Sequence, residues 1–318
     1  MPNNIVRVII DVDTGIDDAL TILYALKSKE IRVEGITTVF GNIDVDQATD
    51  NTLRIIQLAD PGYDVPVARG ADRPYKRSLT GFADSVHGEN GIGNVKLPPA
   101  SQTAVAESAA EFIVRMVNEN PGEIVLVATG RMTNLAFALK LDEQLPFKVK
   151  SVAIMGGTVH APGNVTPVAE ANFWGDPEAA DAVMQSGLPI TMVGLDVTMR
   201  THITQQHLDL LNRFGKEENK AIIAFMQQSL AHYFGFYTDS NNYIGSAPMH
   251  DPLTLLVAVD PGLVKTQTMK VSIDCGDSIS AGMVVADLRT KPSMGRDIQV
   301  CVDVDAQRAE RQFLSVFM

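Results

Sequence analysis

Short β-branched runs alternate along this chain with stretches whose apolar residues recur every three or four positions. Val6 to Ile10 is the first run, and Ile16 to Lys27 follows with Ala19, Leu20, Leu23 and Leu26 at helical spacing. Val33 to Phe40 predicts a strand and Gln47 to Leu58 a helix. Ile124 to Ala128 precedes a helical stretch from Asn134 to Leu141, and Val152 to Met155 and Ile190 to Gly194 read as further strands. Such alternation predicts an α/β fold: a mainly parallel, open, Rossmann-like sheet with helices on both faces. Ligands of such sheets sit beyond the carboxyl ends of the strands, so the polar residues just after each strand are the ones to weigh.

The segment from Arg69 to Pro99, rich in Gly, Pro, Asp and Asn, breaks the alternation and predicts a long surface loop. Thr204 to Phe236 reads as two successive helices. Ala281 to Asp287 and Asp297 to Val304 read as strands before a last helix. No linker or internal repeat divides the chain, and residues 1–318 read as a single domain.

Composition narrows the function. The 318 residues are 45% hydrophobic, enough for a sizeable core, and the net charge is −12. An acidic chain lacks the basic footprint that phosphate backbones and anionic membranes require, so no nucleic-acid or membrane partner is expected. No run of about 18 apolar residues predicts a membrane span. The start reaches Asp11 too soon for the apolar core of a signal peptide. Cys275 and Cys301 are too few for a disulfide framework or a structural zinc site. A cytoplasmic location is expected.

The candidate chemistry follows the first strand, where Asp11, Asp13, Asp17 and Asp18 fall in the strand-to-helix turn. Capping and the helix dipole explain one or two carboxylates there. Four would repel unless a cation neutralises them, and a hard divalent ion with oxygen ligands is the natural partner. An EF-hand is excluded, because counting from Asp11 puts Gly15 at position 5 and Ile22 at position 12. Asp11-x-Asp13 with the later Gly175-Asp176 and Asp181 also resembles haloacid dehalogenase phosphatases, which use magnesium. Gly15 stands where that family has Thr or Val, and Asp176-Pro177 fits a helix N-cap with proline following.

A second resemblance covers more of the chain. Asp11-x-Asp13-x-Gly15-x-Asp17-Asp18 is similar to the signature of the nucleoside hydrolases, the inosine-uridine type N-ribohydrolases. It continues through Val39-Phe-Gly-Asn42, His87-Gly-Glu-Asn-Gly-Ile-Gly93, Thr129-Gly-x-x-Thr-Asn134, Met155-Gly-Gly157, Gly163-Asn164 with Glu170-Ala-Asn172, Asp176-Pro-Glu-Ala-Ala180 and His250-Asp251-Pro252. The order is the family's, from residue 11 to about residue 260. The likeness thins beyond, where Ser280-Ala281-Gly282 replaces a Thr-Arg-Gly stretch.

The resemblance implies the nucleoside hydrolase type of α/β fold and hydrolysis of ribonucleosides to ribose and free base. Asp13, Asp18, the carbonyl of Thr129 and Asp251 would hold calcium, with Asp11 supporting them from behind. Asp13 would also take the proton of the attacking water, and His250 would protonate or polarise the leaving base. Asp17, Asn42, His87, Met155, Asn164, Glu170 and Asn172 would line the substrate. A homo-oligomer, dimer or tetramer, is expected. Read alone, Asn42 is also a turn residue, Met155 plain packing, and Asp251-Pro252 an N-cap followed by a first-turn proline. Tyr233, Phe234, Phe236, Tyr237 and Tyr243 read equally as an aromatic wall for a nucleobase or as a packed helix end. A non-catalytic nucleoside-binding protein is the alternative outside enzymes.

Overall fold

The computed structural model describes residues 5–318; residues 1–4, where the stretch read for a signal peptide begins, lie outside the described residues. In chain order the elements are β1 (Val6–Val12), α1 (Ile16–Lys27), β2 (Ile31–Thr38), α2 (Val45–Ala59), β3 (Val67–Arg69), α3 (Asp84–His87), α4 (Ala109–Glu119), β4 (Ile124–Ala128), α5 (Thr133–Leu141) and β5 (Ser151–Met155). There follow α6 (Ala171–Gly175), α7 (Pro177–Gln185), β6 (Ile190–Val193), α8 (Leu195–Thr198), β7 (His202–Thr204), α9 (Gln205–Phe214) and α10 (Lys220–Asn241). The last are β8 (Ser246–Pro248), α11 (His250–Val259), β9 (Val264–Ile273), β10 (Val284–Ala286), β11 (Arg296–Val304) and α12 (Ala306–Ser315).

Nine strands form one sheet in the order β10-β9-β11-β6-β5-β4-β1-β2-β3. Every pairing from β11 to β3 is parallel, and β9 pairs antiparallel with both β10 and β11. Period-two alternation feeds a core on each face. On β1, Val8, Ile10 and Val12 join the core that includes α1, α10, α11 and α12, while Ile9 joins the core beneath α4, α5 and α7. Helix α1 is buried over almost its whole surface, which matches its near-continuous apolar sequence. These observations bear out the mainly parallel α/β sheet with helices on both faces.

The order in which the chain adds strands reverses at β1. The chain runs outward through β2 and β3, then returns to lay β4 on the other side of β1. Crevices open beyond the carboxyl ends of strands at such a switch point. Here Asp11 and Asp13 leave β1 beside Thr129, which leaves β4, and the Thr129 N–H donates to the Asp11 carbonyl at 2.8 Å.

The structure corrects three expectations. The segment from Arg69 to Pro99 is not simply a surface loop: it contains α3 and buries His87, Ile92 and Val95 against the body. The strand expected from Ala281 to Asp287 shrinks to Val284–Ala286. Helix α11 starts at His250 with Met249 as its cap, so Asp251 lies in the first turn rather than at the N-cap. Asp176 does cap α7, accepting from the Ala179 N–H at 3.2 Å.

Phe112 on α4 is fully buried, and its ring occupies the space a side chain on Gly35 of β2 would need. We expect Phe112→Ala to lower unfolding stability by about 3–5 kcal/mol, the range for emptying a phenylalanine site in a packed core. Urea denaturation measures it, and a loss under about 1 kcal/mol would show that the α4–β2 contact is not tightly packed.

Candidate active site

Two helices aim their N-termini into the crevice. Asp17 and Asp18 occupy the first turn of α1, and Asp251 the first turn of α11, where the positive end of each helix dipole favours carboxylates. Oxygens of Asp17, Asp18 and Asp251 lie within 4.8 Å of one another, and all three residues are buried. Asp13 stands outside that triplet but is tied to it. Asn42 donates its backbone N–H to Asp13 Oδ2 at 2.7 Å, and its side-chain amide to Asp13 Oδ1 at 3.1 Å and Asp18 Oδ2 at 3.3 Å. The Asp13 carboxylate fills the place where residue 41 would carry a Cβ, so only glycine fits there.

Further donors hold the remaining acids. Thr129 Oγ1 and the Gly15 N–H donate to Asp18 at 2.8 and 2.9 Å. Thr37 Oγ1 and Asn134 Nδ2 both donate to Asp11 Oδ1, the latter at 2.7 Å. Asp11 Oδ2 and Asp17 Oδ1 are buried without any hydrogen-bond partner. Burial pushes Asp11 up to about 7 and Asp17 up to about 6. Burial, reinforced by neighbouring carboxylates, raises Asp13, Asp18 and Asp251 as well. Buried, crowded and incompletely hydrogen-bonded oxygens are what a divalent cation would satisfy, and an all-oxygen donor set suits a hard one.

Aromatic and imidazole groups form a second wall. Tyr233 and Tyr237, one turn apart on α10, meet edge to face at 5.0 Å. The Tyr233 hydroxyl donates to Asp17 Oδ2 at 3.1 Å. The Tyr237 hydroxyl lies 2.9 Å from His250 Nε2, and His250 Nδ1 lies 2.8 Å from Thr198 Oγ1. His87 Nδ1 accepts the Ile16 N–H at 3.1 Å, which leaves the proton on Nε2, and its ring faces Tyr233 at 5.7 Å. Burial lowers His87 to about 4 and His250 to about 3, so both imidazoles are neutral at physiological pH.

The family described as inosine-uridine preferring nucleoside hydrolase matches residues 8–311. The chain belongs to the nucleoside hydrolase family. It is 40% identical over 275 residues to uridine nucleosidase 1 of Arabidopsis thaliana, covering 84% of this chain and 80% of that one. It is 36% identical to a pyrimidine-specific ribonucleoside hydrolase of Salmonella paratyphi B, over 94% of each chain. Among solved structures, a plant nucleoside hydrolase superposes with a TM-score of 0.91 at 34% identity, and a purine-preferring ribonucleoside hydrolase from Gardnerella vaginalis with 0.90 at 34%; each match covers 98% of both chains. The protein is therefore an enzyme that hydrolyses ribonucleosides, and the likeness runs on past residue 260, where the sequence motifs thin out.

The hydrolase brings most of the expected residues to one crevice and gives several of them a structural duty. Asn172 Nδ2 donates to the Thr129 carbonyl at 2.6 Å and to the Met155 carbonyl at 3.2 Å, joining the ends of β4 and β5. Glu170 caps α6: Oε1 accepts from Asn172 N, and Oε2 from Gly157 N and Phe173 N. Burial nevertheless pushes it up to about 7. Asn164 is exposed, and its Oδ1 accepts the Ala171 N–H at 3.0 Å. The aromatic segment divides: Tyr233 and Tyr237 present hydroxyls to the site, while Phe234 packs in the core.

Sequence reasoning missed Thr37, Thr198 and Arg131. A threonine inside or just after an apolar run carries no signal of its partner. Arg131 sits within Thr129-Gly-x-x-Thr-Asn134 at a position read as free, and an arginine in a loop is ordinarily a surface charge. Here it is buried.

Asn134 donates to both Asp11 Oδ1 and the Thr38 carbonyl. Asn134→Ala should cost about 1–3 kcal/mol of stability by leaving two buried acceptors short of a donor. Thermal unfolding under chelation measures this, and an unchanged Tm would show Asp11 to be supported well enough by Thr37.

Proposed function

We propose that this hydrolase cleaves ribonucleosides, uridine among them, with a calcium ion held by Asp13, Asp18, Asp251 and the Thr129 carbonyl. The observation that carries the reading is the group of buried carboxylates at the switch point: oxygens of Asp17, Asp18 and Asp251 lie within 4.8 Å of one another, Asn42 ties Asp13 to Asp18, and Asp17 Oδ1 lacks any partner. Asp17 is left for the ribose because Tyr233 already orients its Oδ2, which leaves Oδ1 to meet a sugar hydroxyl. Bound there, calcium would acidify a water and bind the vicinal ribose hydroxyls.

The protein's own groups then have distinct tasks. Asp13, fixed by both donors of Asn42, accepts a proton from the attacking water. The water oxygen bonds to C1′ while the bond from C1′ to the base nitrogen breaks, and its electron pair leaves with the base. Positive charge builds on the sugar as this bond stretches, so nearby carboxylates favour the transition state over the ground state. We assign protonation of the departing base to the Tyr237 hydroxyl; burial disfavours the phenolate, which regains a proton from solvent as Asp13 releases the one it took from the water. Neutral His250 orients it, with Thr198 fixing the other ring nitrogen. Asn172 and Asp17 hold the ribose, and His87 offers its Nε2–H to the base. Uridine is supported by the named activities of the relatives from Arabidopsis and Salmonella. A cytoplasmic setting is supported by two free cysteines.

Uridine, inosine and 2′-deoxyuridine, assayed for free reducing sugar with and without chelator, test this reading. Chelation should abolish turnover and readdition of calcium restore it. We expect kcat/KM for deoxyuridine to fall at least about 10²-fold below uridine, since a site built to meet a hydroxyl strands its polar groups when the hydroxyl is missing. Equal rates on the two would remove the ribose from Asp17 and the ion.

Tyr237→Phe should lower kcat on uridine by about 10²-fold or more while changing KM little, the signature of a contact made only in the transition state. Rapid-quench assays measure the chemical step. A rise in KM at constant kcat would instead make Tyr237 a wall of the base pocket and nothing more.

A further inference from the structure

Arg131 is the only buried lysine or arginine among the described residues, with 6% of its surface exposed. Its surroundings are not those of a salt bridge: among the described residues no carboxylate lies within ion-pair distance of it. The guanidinium lies over the Phe40 ring at 4.6 Å from ring centre to Cζ. Nη2 reaches the Gly41 carbonyl at 3.5 Å, and Nη1 has no partner at all. On the other side it fills the space next to Gly175, where any Cβ would collide with it. An arginine buried this way carries a desolvation cost unless negative charge around it compensates.

Negative charge does surround it. Asp13 packs against one side of Gly41 and Arg131 bonds the carbonyl of the same residue, so Phe40-Gly41-Asn42 is gripped from both ends. Asp176 and Glu170 flank Gly175, at the cap of α7 and the cap of α6.

We propose that Arg131 is a resident counter-charge for the acidic crevice, a positioning residue that lets Asp13 and its neighbours stay packed when no metal is bound. It deepens the calcium reading and rests on it in one respect. A guanidinium near a divalent site repels the incoming ion, so the charge that steadies the metal-free crevice also weakens metal binding. Its phenylalanine and glycine neighbours fix its place without neutralising it.

The test compares wild type with Arg131→Met, Arg131→Lys, Asp13→Asn and the Arg131→Met/Asp13→Asn double variant, in mildly alkaline buffer. Metal-free Tm is measured under chelator, and calcium affinity by titration calorimetry of the wild type and Arg131 variants. Arg131→Met should lower the metal-free Tm more than the calcium-loaded Tm and tighten calcium binding about fivefold or more, while Arg131→Lys keeps both near wild type. In the Asp13→Asn background the metal-free Tm loss from Arg131→Met should shrink by about half or more, because the charge being balanced has gone. Equal losses with and without Asp13, or with and without calcium, would make Arg131 a packing residue and overturn the proposal. Should Arg131→Met fail to fold, Arg131→Gln supplies the neutral variant. Absence of calcium binding by wild type would sink the metal reading and the affinity half of this one, while the Arg131–Asp13 coupling is read from metal-free protein and stands or falls separately.

Discussion

Like charges held out of water repel more strongly the closer they stand, and this crevice gathers Asp11, Asp13, Asp17, Asp18 and Asp251 where solvent scarcely reaches. Much of the surrounding structure answers that cost. Two helix N-termini point at the acids, Asn42 spends all its donors on Asp13 and Asp18, and Thr37, Thr129, Asn134 and Tyr233 each give a hydrogen bond to one of the acids. What is left uncompensated, notably Asp17 Oδ1, is the capacity a cation and a ribose hydroxyl would fill.

The sheet supplies the place for this arrangement. Strand order reverses at β1, so α1 and α5, which follow β1 and β4, lie on opposite faces of the sheet, the arrangement that opens a gap beyond the strand ends. Asn42 arrives at that gap after β2, Asn172 after β5, and α11 delivers Asp251 from the far end of the chain. Helix α10 closes the side with Tyr233 and Tyr237, whose hydroxyls reach opposite partners, Asp17 and His250. The acids therefore meet the hydroxyls directly at Asp17, while Tyr237 and His250 stand apart from them as a second group. That separation matches a reaction in which charge builds on the sugar at one end and a base departs at the other.

Several elements escaped a reading by periodicity for identifiable reasons. Strand β9 carries Lys265, Thr266, Gln267 and Thr268 in succession, all exposed beside β11 in the antiparallel part of the sheet, so apolar alternation marks only its second half, at Met269, Val271 and Ile273. Helix α11 follows directly on β8, and its residues are buried from His250 to Val257, which removes the polar face that betrays a surface helix. The segment before Pro99 looked polar because its glycines and asparagines make turns, yet His87 within it bonds the start of α1. Glu170 and Asn164 are sugar ligands by the resemblance and plain loop polarity when read alone, and the structure employs both as acceptors at the start of α6.

The sequence by itself determined the parallel α/β architecture, because β-branched runs and helical spacing are local properties, and it determined the acid cluster, because four aspartates crowd one turn. It also carried the family, through motifs spread from Asp11 to Pro252. Only the tertiary structure decided which acids meet: Asp251 lies far along the chain from Asp18, and their approach depends on how α1 and α11 pack side by side. It alone showed that His250 is buried and turned to Tyr237, a setting that disfavours the charged imidazole. It alone found Arg131 inside, because whether a charge is buried depends on what folds over it from elsewhere, here Phe40 and Gly175.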